Sequence, residues 1–367
     1  MKPQYQTFVE INIPNILQNI RELRSLLDRN VKFMAVVKAD AYGHGAVPVS
    51  KAIENAVDCL AVATLSEAFE LKKAGIKTPI LLLSETHVSN AMDIIKNGFI
   101  QTVYTLQLAS ALSAAAKKLN KKARVHLKID TGMGRVGIHF GEAEKLFKKI
   151  SMLPNLKIEG IFTHFAGAEE MDEFTSEQLK RFRSFISKID HVSYILHAAN
   201  SAAVMNHKAS HLDMVRVGLS MYGIYPQGIK KRIVDLKPAL QFKTHVVYLK
   251  DVPAGTPLSY GSTYITKKRA NIATLPVGYA DGLPRALSNR GEVLIRGKRF
   301  PIVGRVCMDL TLVNVSDSNV KIGDEVVLIG SQGKKVISAD EIGKLADTIS
   351  YEIICGIGKR VPRIYKQ

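Results

Sequence analysis

The stretch FMAVVKADAYGHG, residues 33–45, joins an apolar run of strand type to a polar turn that carries Lys38, Tyr42 and His44. A helical pattern follows, and this unit of strand, turn and helix repeats as far as residue 217. The apolar runs span residues 33–37, 60–63, 80–83, 100–104, 125–129, 158–163, 192–196 and 214–217. Strands that alternate with helices indicate parallel β/α units, and eight of them close a barrel. The pattern predicts an α/β protein with an N-terminal (β/α)8 barrel of TIM type, with an open doubly wound sheet as the alternative.

The pattern changes beyond residue 236, where short β-type runs separated by Gly and Pro replace the alternation. These runs span residues 242–249, 271–274, 292–296, 299–303 and 311–315. Gly297 lies in a hairpin-type turn between two of them. One helix is predicted over residues 339–348, with Ser338 as its N-cap. We expect a barrel domain over residues 1–235 and a mainly antiparallel β domain over residues 236–367.

The composition is that of a globular protein, because 46% of the 367 residues are hydrophobic and 23% are charged. The net charge is +18, but the chain has no Trp and its basic residues are not interleaved with aromatic ones, which argues against nucleic-acid binding. Cys59, Cys307 and Cys355 are too scattered for a disulfide scaffold or a metal site. No export signal or membrane-spanning stretch is evident. We expect a cytoplasmic protein without a metal, membrane or nucleic-acid partner.

Polar residues follow the predicted barrel strands, where active sites of this fold lie. They are Lys38, Tyr42, Lys128, Arg135, His164, His197, Asn200, Ser201, Arg216 and Gly218. Several cations and a tyrosine on one rim suit an anionic cofactor that bears a carbonyl group. Lys38 follows apolar residues at a strand end, which favours a nucleophilic amine, although a solvated lysine at a strand end is equally compatible with position alone. Ser201 and Gly218 occupy the usual phosphate-binding place of the fold.

Six motifs together closely resemble those of the alanine racemases, which are pyridoxal-phosphate enzymes with a barrel and a β domain. The resemblance extends from Glu10 to Arg363. The motifs are VVKADAYGHG at 36–45, KIDTGMGRVG at 128–137, THFA at 163–166, SYGSTY at 259–264, GYADG at 278–282 and GRVCMD at 304–309. The resemblance implies an isomerase that interconverts L-alanine and D-alanine with pyridoxal 5'-phosphate as cofactor, and so supplies D-alanine for peptidoglycan.

The resemblance also assigns the two bases that racemisation needs, one on each face of a planar carbon. Lys38 would bind the cofactor aldehyde and then act as one base, and Tyr260 would be the other. A phenol ordinarily keeps its proton up to pH ~10, so a tyrosine base needs positive charge nearby. Arg135 and His164 are the candidates for that charge.

Arg216 matches the arginine that faces the pyridine nitrogen in this family, and His197 matches the residue that orients it. Because a guanidinium does not give up its proton, the ring would stay a weak electron sink and favour prompt proton return. The remaining cofactor contacts implied are Tyr42, Arg135, His164, Asn200, Ser201, Gly218, Leu219 and Tyr351. The substrate contacts implied are Arg135 and Met308, and the supporting residues are Lys128, Tyr279, Cys307 and Asp309.

Active sites in this family are shared between subunits, so the resemblance implies a homodimer. Tyr260, Tyr279 and Met308 would come from the β domain of the partner. Three alternatives remain on the sequence. The first is a broad-specificity racemase that acts on serine and other amino acids, and the second is a non-catalytic pyridoxal-phosphate-binding protein. The third is an amino-acid decarboxylase with a barrel and a β domain, although such enzymes typically have an acidic residue where this chain has Arg216. The domain beyond residue 236 argues against the second, because such binding proteins are lone barrels.

Overall fold

The computed structural model describes residues 6–169, 172–190, 193–229 and 232–367. The chain forms two compact units, Asn15–Lys237 and a second unit made of Pro238–Gln367 with the described residues up to Pro14. The predicted barrel domain included residues 1–14. In the structure Phe8–Asn12 is a strand of the second unit, because its backbone pairs with Leu240–His245 and with Arg363–Lys366. A short strand pattern does not reveal which distant sheet it joins.

The first unit is an eight-stranded parallel barrel. Its strands are Lys32–Val36, Cys59–Val62, Ile80–Leu82, Ile100–Val103, Ala123–Asp130, Leu156–Phe162, Ile195–His197 and Met214–Val217. The last strand pairs with the first, and the bonds Asp213 N–H to Leu196 O (3.0 Å) and Arg216 N–H to Ala199 O (2.9 Å) close the ring. The predicted barrel is confirmed and the open sheet is wrong. Of the predicted strand at 192–196, residue 192 lies outside the described residues.

Helices precede the first barrel strand and connect it to the strands that follow, and side-chain N-caps mark where some of these helices begin. They are Ile13–Arg24, Ala46–Ile53, Leu65–Lys73, Ala91–Asn97, Leu106–Lys118, Ala143–Ser151, Asp172–Ile186 and Ser201–Asn206. Thr64 and Thr105 are N-caps whose side-chain oxygens accept backbone N–H groups of the first turn. Across the described parts of the chain, the helices are all too short or too polar to cross a membrane.

Most residues of the barrel strands are buried, as expected when helices cover a parallel sheet. Four of the buried strand residues nevertheless have basic side chains: His126, Lys128, His197 and Arg216. Burying charged or polar side chains is costly unless each finds a partner. These four residues therefore indicate where in the barrel the candidate active site lies.

The second unit is mainly antiparallel, as predicted. Its large sheet is ordered Lys298–Pro301, Glu292–Ile295, Glu325–Gln332, Leu240–His245, Phe8–Asn12 and Arg363–Lys366, with Lys335–Ile337 beside Glu325–Gln332. The smaller sheets contain Tyr248–Val252, Ala270–Leu275 and Thr311–Asn314, and Pro257–Leu258 with Tyr264–Ile265. The two helices are Ala339–Leu345 and Ser350–Cys355, and Ser338 caps the first by accepting the Glu341 N–H at 3.0 Å.

Candidate active site

Lys38 follows the first barrel strand and opens a turn of left-handed backbone. The φ angles of the next four residues lie between +51° and +55°, at Ala39, Asp40, Ala41 and Tyr42. L-residues adopt this conformation rarely and only as single residues, so four in a row store strain that the surroundings must hold. Such strain is a feature of functional sites, and here it sets the direction in which the chain leaves Lys38.

Glu67 holds the start of this turn. Its carboxylate accepts hydrogen bonds at 2.7–3.0 Å from the backbone N–H groups of Ala39, Ala63 and Thr64. One carboxylate thereby links the residue after Lys38 to the loop after the second barrel strand. The capping pair of Thr64 and Glu67 is a signal in the sequence, T-x-x-E before an apolar run, that would have identified Glu67.

Tyr42, Ser201, Gly218 and Ser220 form a cluster of donors beside the last barrel strand. Gly218 N–H donates to Ser201 Oγ at 3.0 Å, and a Cβ at Gly218 would overlap the Tyr42 hydroxyl. Leu219, which is buried, begins the next short helix. The Ser220 hydroxyl is buried without a hydrogen-bond partner in the described part of the chain. A phosphate accepts hydrogen bonds from hydroxyl and N–H groups, and this cluster offers both, including the Ser220 hydroxyl. The cluster therefore fits the phosphate of pyridoxal phosphate.

Arg216 is 4% exposed and its guanidinium is bound by uncharged acceptors. Its NH2 group donates to Thr163 O at 2.8 Å and Ala198 O at 2.9 Å, and NH1 donates to His197 Nδ1 at 3.0 Å. Burial lowers the pKa of Arg216 to about 9, so the group is still charged at neutral pH. A guanidinium held in this way donates hydrogen bonds but does not act as an acid.

The hydrogen bonds of Arg216 fix the protonation of three histidines. Because Arg216 only donates, Nδ1 of His197 and Nδ1 of His164 (3.2 Å) must both accept. His197 therefore carries its proton on Nε2, which donates to His126 Nδ1 at 2.9 Å. Burial, with the charge of Arg216 next, lowers the pKa of His164 and His197 well below the usual value, and burial lowers the pKa of His126 to about 4. The expectation that His164 supplies positive charge is therefore wrong, because it is neutral at pH 7.

Lys128 is 6% exposed, and its ammonium group lies 5.6 Å from the centroid of the Phe162 ring. Burial lowers the pKa of Lys128 to about 8, with further contributions from the charges of Arg216 and Arg135. A lysine with this pKa holds a sizeable fraction of neutral, nucleophilic amine near neutral pH.

Arg135 lies on the exposed loop that follows the fifth barrel strand. The Asp130 carboxylate shapes the loop, because it accepts the N–H groups of Gly132 at 2.9 Å and Gly134 at 3.1 Å. Gly137 has a φ of +133°, and a Cβ there would lie 2.9 Å from the Asp130 nitrogen. The loop folds back onto Asp130 and leaves the guanidinium of Arg135 accessible to an anion.

Tyr260 lies in the second unit with 71% of its surface exposed. Ser259 precedes it with a φ of +63° and donates from Oγ to Arg305 O at 2.6 Å. Gly261 follows with a φ of +70°, and a Cβ there would lie 3.1 Å from Arg305 Nη1. The two positive φ values and the anchored serine hold the phenol out from the surface of its unit.

Tyr279, Cys307 and Met308 lie together beside this segment. The N–H of Tyr279 donates to Cys307 O at 3.0 Å, and Ser259 Oγ lies 3.5 Å from Cys307 Sγ. The side chains of Tyr279 and Met308 are 43% and 53% exposed. Asp309 accepts a hydrogen bond from Arg360 at 2.7 Å, which ties this loop to the C-terminal segment.

The structure places the predicted site residues in two groups. The barrel unit holds Lys38, Tyr42, Lys128, Arg135, His164, His197, Asn200, Ser201, Arg216, Gly218 and Leu219, and the second unit holds Tyr260, Tyr279, Cys307, Met308, Asp309 and Tyr351. The side chain of Asn200 caps Ser201–Asn206 by accepting the Ala203 N–H at 3.0 Å. His126 was not among the predicted site residues, although it lies two residues before Lys128 on one strand and therefore on the same face.

Comparison with known proteins agrees with the resemblance seen in the motifs. Residues 11–226 match the family model of the alanine racemase N-terminal domain, and residues 239–365 match that of the C-terminal domain. Alanine racemase 2 of Caldanaerobacter subterraneus subsp. tengcongensis is 48% identical, with 98% of this chain and 94% of the relative covered. The solved alanine racemase of Clostridium difficile 630 is 41% identical with a TM-score of 0.95, and 100% of this chain and 97% of that one are covered. That of Bartonella henselae, described with covalently bound pyridoxal phosphate, is 30% identical with a TM-score of 0.90, over 99% and 100%.

Proposed function

The chain belongs to the alanine racemase family, and we infer that it interconverts L-alanine and D-alanine with pyridoxal 5'-phosphate as its cofactor. The observation that carries this function is the set of Lys38 and Arg216 at the ends of strands in one barrel, with Arg216 backed by carbonyls and neutral histidines. The bound cofactor supplies an electron-withdrawing ring that makes the Cα proton of an amino acid acidic. The D-alanine formed would enter peptidoglycan.

We propose that the barrel unit holds the cofactor. Lys38 binds its aldehyde, and Arg216, oriented by His197, donates a hydrogen bond to the ring nitrogen without protonating it. The cluster of Tyr42, Ser201 and the backbone N–H groups beginning at Gly218 and Leu219 would hold the phosphate, and Asn200 and His164 would be further contacts of the cofactor. Tyr351 is a phosphate contact that the family resemblance alone implies. The unused buried hydroxyl of Ser220 supports this placement.

Lys38 and Tyr260 move the proton at Cα from opposite faces. Arg135 and the backbone of Met308 receive the substrate carboxylate, and Met308 and Tyr351 bound the space for the substrate side chain. Because His164 is neutral, Arg135 remains the candidate for the positive charge that a Tyr260 base needs. Lys128 supports Arg135, and its neutral fraction gives it the form of amine that reacts with CO2, as in family members whose lysine is carbamylated.

We propose that residues 236–367 serve the active site of the partner in a cytoplasmic homodimer. Tyr260, Tyr279 and Met308 have large exposed side chains on the second unit, and they lie in the motifs that match the shared sites of this family. Both features support a shared active site. Mixing Lys38→Ala with Tyr260→Ala should restore activity above that of either variant alone, because hybrid dimers contain one intact site. Absence of any recovery after subunit exchange would refute shared sites.

Proton NMR of L-alanine in heavy water, followed together with optical rotation, tests the function. The loaded enzyme should remove the Cα proton signal and bring the rotation to zero, and Lys38→Ala should do neither. Tyr260→Phe should lose racemisation while the face served by Lys38 still exchanges. Equal rates with serine would favour the broad-specificity racemase, and no exchange despite bound cofactor would favour a binding protein.

A further inference from the structure

Gln178 is a fully buried amide on the outer helix Asp172–Ile186, and it contacts the loops after two neighbouring barrel strands. Its Oε1 accepts the Ala166 N–H at 2.9 Å. Its Nε2 donates to His164 O at 3.1 Å and to Thr131 Oγ1 at 3.3 Å. One side chain thereby joins the loop that carries Arg135 to the segment that carries His164.

The partners of Gln178 fix the orientation of its amide. A backbone N–H only donates and a backbone carbonyl only accepts, so the oxygen must face Ala166 and the nitrogen must face His164. A carboxylate in this place would set an oxygen against His164 O, and an aliphatic side chain would leave all three partners without their bonds. The position therefore requires an amide.

Thr131, the first residue of the Arg135 loop, is held from several sides. It is fully buried, its hydroxyl lies 2.7 Å from that of Thr163, and its carbonyl accepts a hydrogen bond from Arg181 at 3.1 Å. Gly132 packs so closely on the same helix that a Cβ there would lie 2.8 Å from Phe174. The contact between Thr131 and Thr163 joins the starts of the two loops, and the amide of Gln178 extends this link to His164 and Ala166.

We propose that Gln178 is a positioning residue for racemisation, acting through Arg135 on the substrate carboxylate and through His164 on Arg216. The proposal rests on the role of Arg135 inferred above. His164 completes the link, because its carbonyl accepts from Gln178 while its Nδ1 accepts from Arg216 at 3.2 Å. A small displacement of a substrate-binding group costs up to about 100-fold in rate or binding, so the loss of a buried link is measurable.

The test compares two variants of Gln178 with one matched control variant on the same helix. Gln178→Glu keeps an oxygen for the Ala166 N–H and loses both donor bonds when the carboxyl is ionised, so it is measured at pH 8 and above, whereas Gln178→Ala loses all three bonds. The control is Thr175→Val on the same helix, because Thr175 is 1% exposed and its hydroxyl has no hydrogen-bond partner in the described part of the chain. A general weakening of the helix would affect all three proteins.

The first readout is hydrogen exchange of the full-length, cofactor-loaded protein, followed by mass spectrometry. Gln178→Glu should speed exchange in residues 131–137 while Ala166 stays protected, and Gln178→Ala should speed both. Thr175→Val should match the wild type. Equal exchange in all four proteins, or faster exchange spread along the whole helix, would overturn the proposal.

The second readout separates binding from turnover. Gln178→Glu should raise KM for alanine by about 10- to 100-fold and change kcat by much less, because Arg135 acts on the carboxylate rather than on Cα. Unchanged KM with altered exchange would refute positioning while leaving the racemase function intact. If the wild type does not racemise alanine, the function fails instead, and hydrogen exchange still decides whether Gln178 joins the two loops.

Discussion

Replacing Gly218 with Ala tests the cluster of donors at the last barrel strand, because the added methyl group would overlap the Tyr42 hydroxyl and lie 3.0 Å from its Cζ. Tyr42 has little freedom to retreat. Its ring centroid lies 5.1 Å from that of Tyr222, which stacks on His44 at 4.4 Å and donates from its hydroxyl to Val36 O at 3.0 Å. The φ of Gly218 is −117°, so no positive-φ penalty adds to the overlap.

Overpacking of a buried contact costs about 1–3 kcal/mol. If the ring of Tyr42 shifts to relieve the overlap, its hydroxyl leaves the place where we expect the cofactor phosphate. The lost hydrogen bond to a charged phosphate is worth about 1.5–3 kcal/mol, so the affinity for pyridoxal phosphate should then fall about 10- to 150-fold, at about 1.4 kcal/mol for each factor of ten. The melting temperature of the cofactor-free protein should fall by roughly 3 °C for each kcal/mol. Titration of the cofactor-free protein by absorbance, and thermal unfolding by circular dichroism, measure the two effects.

A double-mutant cycle separates this contact from general damage. Tyr42→Phe removes the hydroxyl, so Gly218→Ala should cost less stability in the Tyr42→Phe background than in the wild type, by about 1 kcal/mol. Tyr42→Phe alone should weaken cofactor binding without the steric cost. Wild-type affinity and stability in Gly218→Ala, or strictly additive effects in the double variant, would refute the argument.

Three further changes test other parts of the site. Lys128→Met should raise the melting temperature at pH 7, and this gain should shrink as the pH rises from about 8 toward 10.5. Burial lowers the pKa of Lys128, so in this pH range the unfolded chain binds more protons than the native protein, and the stability of the wild type rises with pH. Equal gains at pH 7 and pH 10 in CO2-free buffer would contradict this. Glu67→Gln should cost about 1–3 kcal/mol, since an amide nitrogen would face an N–H donor in either orientation, whereas the exposed Glu70→Gln on the same helix should unfold like the wild type in denaturant. Asp281→Asn should lower stability by about 1–2 kcal/mol, because the Asp281 carboxylate accepts from Arg360 Nε at 2.7 Å and from Gly278 N–H at 2.9 Å; thermal unfolding with no change would show that the pair contributes nothing.

Much of the fold was predictable because its signals are local. Apolar runs of strand type and helical periodicity are properties of short windows, and eight such units have few ways to close. The site residues of the barrel were predictable for a related reason, since the carboxyl ends of parallel strands meet on one face. Lys38, His164 and Arg216 are far apart in sequence, but their place at strand ends already implies proximity.

The sequence by itself determined the alternation of elements and the motifs that carry Lys38 and Tyr260. Only the tertiary structure decided that Phe8–Asn12 pairs within the second unit, that His164 is neutral and that Gln178 joins two loops. The physical reason is that strand pairing, desolvation and buried hydrogen bonds depend on atoms from distant parts of the chain. A local window of sequence contains the residue but not the neighbours that set its charge and its partners.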